Sequence, residues 1–384
     1  MSSLSRYRAR GRLPASRWSI TAAALLPGLA VIALCNSAHA HHPGGGGGAG
    51  GAGPINTIPG TVLDKGQWVA GVTFEYTSFN SISNAALAFH AGQHEHVHTL
   101  RTIQSPAISL SYGLTSDLTI SARLPYVLRT DIREGAHSHV HGGGALNEAV
   151  HRGDSEGIGD VSFLAQYRIV NNRAMRTDWS LLGGVKAPTG RTDVNDKNGN
   201  LFDAEFLPGS GSWDWSAGLA VSQHLGGRYS LHANALYTWV GTGEQDTNLG
   251  NRFQYNLAFA YRAFGAAPEQ GQSSSRMNAG VLPQPMYHGA GSTKDHHHEE
   301  PARSLGPALD LVLEFNGEWH DKEEVAGERE KSSGGNVVFL SPGVRLSFDK
   351  VCGFVSFGVP IINNMNGIQA EPEYRITTGL AVSF

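Results

Sequence analysis

The sequence predicts an all-β protein, an antiparallel up-and-down transmembrane β-barrel of about twelve strands. Three observations carry this. Apolar and polar residues alternate with a period of two through most of the chain after residue 66. The connections between alternating segments are mostly short and long by turns. Trp68, Trp179, Trp213, Trp215 and Trp239 stand near segment ends, where an interfacial girdle needs them. A soluble β-sandwich also alternates, but it turns its apolar face inward and has little use for tryptophan at both ends of that face.

Before the alternation begins, residues 1–40 read as a signal peptide. Arg6, Arg8, Arg10, Arg12 and Arg17 form a basic leader, Ile20 to Leu34 an apolar stretch, and Ala38-His39-Ala40 a small-x-small cleavage signal. The apolar stretch is short for a membrane helix and is broken by Pro27-Gly28. Leu34 is too bulky to precede a lipidated Cys35, and no Arg-Arg pair marks twin-arginine export, so general secretion is expected. Taking the five leader arginines from the 29 basic residues leaves 24 against 33 acidic ones, a balance of −9. An acidic exported chain is a poor nucleic-acid partner and attracts cations. Cys352 is then the remaining cysteine, so no internal disulfide is expected. Residues 41–65, opening with "HHPGGGGGAGGAGP", read as a flexible leader ahead of a barrel spanning 66–384.

The strands follow in order, near 67–78, 104–114, 117–129, 158–170, 177–187, 212–224, 228–240, 251–264, 307–320, 335–348, 351–358 and 373–384. In "DLTISARLPY" Leu118, Ile120, Ala122, Leu124 and Tyr126 share one face while Thr119, Ser121 and Arg123 take the other. "VSFLAQYRI" sets Val161, Phe163, Ala165, Tyr167 and Ile169 against Ser162, Gln166 and Arg168. The terminal "YRITTGLAVSF" places Tyr374, Ile376, Leu380, Val382 and Phe384 together. Each segment can supply the roughly 9–11 residues of a tilted membrane strand. Turns at 115–116, 171–176, 225–227 and 349–350 are short; 79–103, 130–157, 188–211, 321–334 and 359–372 are long, and 241–250 is intermediate. With the amino terminus on the periplasmic side, the long loops face outward, and a long 265–304 connection rich in Gln, Ser, Gly and Pro is expected as a disordered periplasmic segment.

On the face away from lipid fall Glu75, Arg123, Arg168, Lys186, Asp214, Arg262, Asp310, Glu314, Arg345 and Arg375. These side chains either line a narrow polar pore and set its selectivity, or pair into a network that seals it, since charge kept from water needs partners.

The blocks "GIGDVSFLAQYRI" (157–169), "GGVKAPTGRTD" (183–193) and "LPGSGSWDWSAGLA" (207–220), followed by a terminal aromatic strand, resemble the outer-membrane family described as "putative MetA-pathway of phenol degradation". The resemblance runs from about Gly66 to Phe384. It implies a Gram-negative outer-membrane barrel, a role in moving small, aromatic compounds, and no catalytic residues. Phe384 as last residue resembles the terminal signal read by the barrel assembly machinery. The sequence departs from the family pattern in its histidine-rich loops and in 265–304.

Those histidines form three tracts. "HEHVH" holds His94, His96 and His98, and "HSHVH" holds His137, His139 and His141, both in expected outer loops. In extended chain each trio projects to one side, a donor set suited to Zn, Cu or Ni. "DHHHEE" adds His296, His297 and His298 in the 265–304 connection. The tracts bind metal either adventitiously, as histidine-rich loops often do, or in a metal-handling role. Against a catalytic metal site stands the loop setting, which supplies neither rigid ligands nor a supporting shell, and no cofactor is required.

Enzymatic signals fail on inspection. "HGGGA" (141–145) lacks any G-x-S-x-G elbow, and Ser138 in "HSH" sits in a loop tract. "TDVNDKNGNLFDAE" (192–205) misses the EF-hand register and reads as Asx turns. The expected function is an outer-membrane channel or transport component for a small solute, embedded in outer-membrane lipid, with His-rich loops able to bind divalent metal as a further partner. The alternative is a non-conducting barrel that displays metal-binding loops.

Overall fold

Strand formation obeys the alternation closely. The computed structural model describes residues 54–139, 145–265 and 306–384. Twelve strands build one wall: β1 (Trp68–Asn80), β2 (Thr102–Gly113), β3 (Leu118–His139), β4 (Val161–Asn172), β5 (Thr177–Ala187) and β6 (Asp214–Gly226). They continue with β7 (Tyr229–Trp239), β8 (Arg252–Phe264), β9 (Ala308–His320), β10 (Gly335–Phe348), β11 (Val351–Met365) and β12 (Glu371–Ser383). Each strand pairs antiparallel with its sequence neighbours. The wall closes where β1 meets β12, with Val69 opposite Ser383, and runs on without an edge through β3 and β4, with Leu118 opposite Tyr167. Closure matters because an open sheet edge in lipid would leave a row of backbone groups unsatisfied.

Strand β8 shows why the wall belongs in a membrane. Leu257 and Phe259 are 47% and 39% exposed, whereas Ala258 and Arg262 are 0% and 2%. The apolar face is therefore outside and the charged face inside, the reverse of a water-soluble barrel. Trp68 and Trp179 lie at the turn end of that apolar face, and Trp213, Trp215, Trp239 and Trp319 at the loop end, all exposed. These two belts match the girdles that amphipathic rings form at headgroup level. The last residue joins the wall: Phe384 N–H donates to the Trp68 carbonyl at 3.0 Å, and Trp68 N–H donates back at 2.9 Å.

The loop end departs from expectation in three places. Strand β3 does not stop near 129 but continues to His139, paired with a further strand, Ala145–Ile158, so most of the expected loop 130–157 is a hairpin rising above the wall. Strand β11 likewise extends to Met365. In the loop after β1, "NAALAFHAG" forms helix α1 (Asn84–Gly92), capped where Ser83 Oγ accepts from Ala86 N–H at 3.2 Å. The ends of the 265–304 connection meet at the turn end, Phe264 opposite Leu309, while residues 266–305 lie outside the described residues, as do 1–53 with the expected signal peptide.

Candidate functional site

The ten charged residues expected on the lumen face are all buried or half-buried, and nearly all are engaged. Lys186 Nζ lies 2.7 Å from Asp214 and 3.3 Å from Asp160. Arg375 pairs with Glu318 at 2.7 Å and Glu75 at 3.8 Å, its guanidinium 4.1 Å over the Phe339 ring. Arg168 bridges Asp117 at 2.8 Å and Asp178 at 3.7 Å at the turn end. Arg262 pairs with Asp310, whose other neighbour in register is Arg345, and Arg345 Nε donates to Cys352 Sγ at 2.9 Å. Arg123 donates to Ser105 Oγ at 3.3 Å. Glu318 and Asp160 were missed at the sequence level, although Glu318 has the inward parity of Asp310 and Glu314. Asp160 sits in a turn-like "GIGD", where parity is no guide.

Glu314 finds its partners on a different element. Residues 54–65, the end of the stretch expected as a flexible leader, form a strap inside the lumen. The carboxylate of Glu314 accepts the backbone N–H groups of Ile55, Asn56 and Thr57 at 3.0, 2.9 and 3.1 Å, and Asn56 Nδ2 at 2.7 Å. Ile58 N–H donates to Asn234 Oδ1 at 2.9 Å and Gly60 N–H to Ser222 Oγ at 2.8 Å. Ser180 Oγ donates to the Gly60 carbonyl and Gln166 Nε2 to the Pro59 carbonyl, both at 2.6 Å. Leu63 N–H donates to Thr119 Oγ1 at 2.8 Å. The strap is thus pinned to β3, β4, β5, β6, β7 and β9, through bonds almost entirely to its backbone. Gly60 is required there, since a Cβ would stand 2.4 Å from the Asp178 carbonyl oxygen. The apolar side chains settle inward as well: Ile58 packs with Leu164, Leu182, Ala220 and Leu236, and Ile55 with Ala260 and Val312. A leader expected to be flexible is ordered over these residues because the lumen offers both acceptors for its N–H groups and a dry lining for its isoleucines.

The three sequence blocks that carry the family resemblance converge on one knot at the loop end. Asp160 of "GIGD" accepts Gly190 N–H at 2.9 Å, Ser210 N–H at 2.9 Å and Ser210 Oγ at 2.7 Å. Lys186 of "GGVKAPTG" lies between Asp160 and Asp214 of "LPGSGSWD", and Ser212 Oγ donates to Asp214 at 2.7 Å. The backbones nearly touch: a Cβ on Gly190 would sit 2.6 Å from Gly209 Cα and 2.8 Å from the Gly159 carbonyl carbon. The knot fixes both ends of the 188–213 loop, which folds across the mouth and buries Val194, Phe202, Phe206 and Leu207 against Ile132. Within it Asp196 Oδ1 accepts the N–H groups of Asn198 and Asn200, the Asx geometry expected of this stretch.

Above the knot lies a vestibule of about 240 Å³. Its walls come from the loop after β1, the 188–213 loop, the 321–334 loop and the upper ends of the strands. Here the extended geometry expected of the "HEHVH" tract is corrected. Gln93 caps α1 and His94 takes a left-handed φ of 59°, so the tract is not extended and His94, His96 and His98 do not share a face. His90 Nδ1 instead pairs with Glu95 at 2.7 Å, and His98 Nε2 with Glu205 of the 188–213 loop at 3.1 Å. Among the described residues no group of three or more His, Cys, Asp or Glu is arranged to hold a metal ion. The side chains of His137 and His139, and all of His141, His296, His297 and His298, lie outside the described residues.

The His98–Glu205 pair locks two loops together and is pH-dependent. Burial opposes charge on His98, but Glu205 beside it, as counter-charge and hydrogen-bond partner, outweighs this and raises its pKa from 6.5 to about 9. A raised histidine value means the lock is complete below about 6.5 and is lost as pH climbs through about 9. Protease cleavage of the 81–101 loop is therefore expected to be slow at neutral pH and fast at about pH 9.5. In Glu205→Gln it should be fast at both; equal wild-type rates at the two pH values would contradict the lock.

Comparison with known proteins agrees with this architecture. Residues 114–273 match the family model described as "Putative MetA-pathway of phenol degradation". An outer membrane channel from Pseudomonas putida F1, known from its crystal structure, is similar in fold with a TM-score of 0.51 at 13% identity, over 86% of this chain and 100% of that one. Lower likenesses include the β domain of the Bordetella autotransporter Brka, with a TM-score of 0.39, 12% identity and coverage of 84% and 100%. The CymD monoaromatic hydrocarbon channel gives 0.38 and 10%, covering 84% and 89%. No curated protein matches the chain. The closed twelve-strand wall, the likeness in fold and the family match over residues 114–273 bear out the resemblance read from the sequence: the chain is an outer-membrane β-barrel that matches this family through its central part.

Proposed function

We propose that the protein is a passive outer-membrane channel for a small solute, held narrow by its own strap. The observation that carries this is how the strap is held. It crosses the lumen on hydrogen bonds to polar wall side chains and not as a strand of the wall, so the space it fills belongs to a polar conduit and not to a solid core. The lumen charges, paired as they are, select among solutes by leaving little free field and a small cross-section. The family description and the apolar vestibule walls favour compact aromatic solutes over ions. Phe384, in register at the seam of the wall, serves as the signal for barrel assembly. Swelling of proteoliposomes loaded with small solutes tests the reading: uptake should fall steeply with solute size, and no swelling with any solute would overturn it in favour of a non-conducting barrel.

A further inference from the structure

The outer vestibule has the composition of a receptor. Phe79, Leu100, Val127, Phe206, Leu249 and Met365 give it apolar walls. An apolar cavity of roughly 150 Å³ suffices for benzene, so about 240 Å³ accommodates one substituted ring. The polar groups in it are unequal. Of the carboxylates that line it, Glu205 is taken by His98, and Asp160 by Lys186, Gly190 and Ser210. Arg129, also on the lining, spends its Nη1 on the Phe206 and Leu207 carbonyls at 3.2 and 3.1 Å. Glu323 differs from them: among the described residues its carboxylate has neither a hydrogen-bond nor an ion-pair partner, although its backbone is tied down by Ser333 Oγ at 2.9 Å and by Glu330 N–H at 2.9 Å. A fixed backbone presenting an unused acid to a part-apolar cavity is the pattern of a small-molecule site with a single orienting group.

We propose that the vestibule binds a small amphipathic amine, a compact apolar body with one ammonium group that pairs with Glu323. The anionic form of Glu323 is disfavoured while the site is empty. Burial and the nearby Glu205, with Glu330 of its own loop, push its pKa from 4.5 up to about 8, against the opposing pull of His98 and of Arg252 at the head of β8. An arriving ammonium supplies the counter-charge that the acid lacks and displaces its proton. Amines are preferred to alcohols of the same shape because only the amine completes an ion pair. A carboxylate completes no ion pair with Glu323 in either protonation state of that acid, so it lacks the gain that an ammonium makes there. The site stands whether or not the barrel conducts, since binding is measured without a membrane.

Calorimetric titration of the full chain, refolded in detergent at neutral pH, tests this with benzylamine, benzyl alcohol and benzoate as probes. Benzylamine is expected to bind about tenfold or more tighter than benzyl alcohol, and to release about one proton, read from the dependence of the heat on buffer ionisation enthalpy. Glu323→Gln should bring benzylamine down to the level of the alcohol and abolish the proton release, while leaving alcohol binding unchanged. Glu330→Gln, on the same loop, should retain the preference, and heat-modifiable gel mobility reports that each variant has formed its barrel. Benzoate binding as well as benzylamine, an unaltered preference in Glu323→Gln, or no binding of any probe would overturn the proposal.

Discussion

Glu314→Ala is expected to open the lumen. The wild-type carboxylate accepts three successive backbone N–H groups of the strap, 257 to 259 positions away in sequence, and is itself fully buried. Alanine leaves those donors without an acceptor in a place that Ile55 and Val312 keep dry. Each stranded buried donor costs about 1–3 kcal/mol, so the anchor loses at least about 3 kcal/mol and the detached strap gains roughly a hundredfold in population. The wall is untouched, because its closure rests on backbone pairing from β1 round to β12. Single-channel recording should show frequent wide openings in Glu314→Ala and a permanently wide state when residues 54–63 are deleted. Glu314→Gln, which keeps one acceptor oxygen, should fall between. If the deletion conducts like wild type, the strap does not limit the pore.

What the sequence disclosed and what it hid divide along physical lines. Lipid on one side and a polar lumen on the other force strict alternation, so Phe253, Leu257 and Phe259 against Gln254, Asn256 and Arg262 could be assigned to their faces by parity alone. Above the membrane that constraint ends. Both faces of the Ala145–Ile158 hairpin strand meet water or loop, so its polar, glycine-rich sequence reads as loop although its backbone pairs regularly. The strap was hidden for another reason. "PINTIPGTVLDK" has no periodicity, and its order comes from acceptors 176 and 257 residues away on Asn234 and Glu314. The site was legible only in part. The charged lumen positions followed from parity, whereas Glu323 and Asp160 lie in connections where no period applies. The histidine tract misled because its spacing presumes an extended chain, and the cap of α1 turns that chain at His94.

The knot under the vestibule supports the second large effect. In Lys186→Met, Asp160 and Asp214 lose the cation they share, and both side chains are 3% exposed. Removing one partner of a buried ion pair costs about 3–5 kcal/mol. The neutral donors that remain, Gly190 N–H and Ser210 on Asp160, and Ser212 Oγ and Gly241 N–H on Asp214, place the loss near the lower end of that range. The damage should appear in the 188–213 loop before the wall, because β5 and β6 remain paired from Thr177–Gln223 to Lys186–Asp214. Limited proteolysis should therefore cut this loop much faster in Lys186→Met, while denaturant unfolding in micelles reports a smaller shift of the barrel itself. If the role of Lys186 is to neutralise buried carboxylates, adding Asp214→Asn should restore part of the loss, a coupling that a double-mutant cycle reads directly. If Lys186 is needed only as a donor to Ser210 and Ser212, the second substitution will add to the first. Loop protection equal to wild type in Lys186→Met would show that the close approach of Gly190 and Gly209 holds the mouth without the charge.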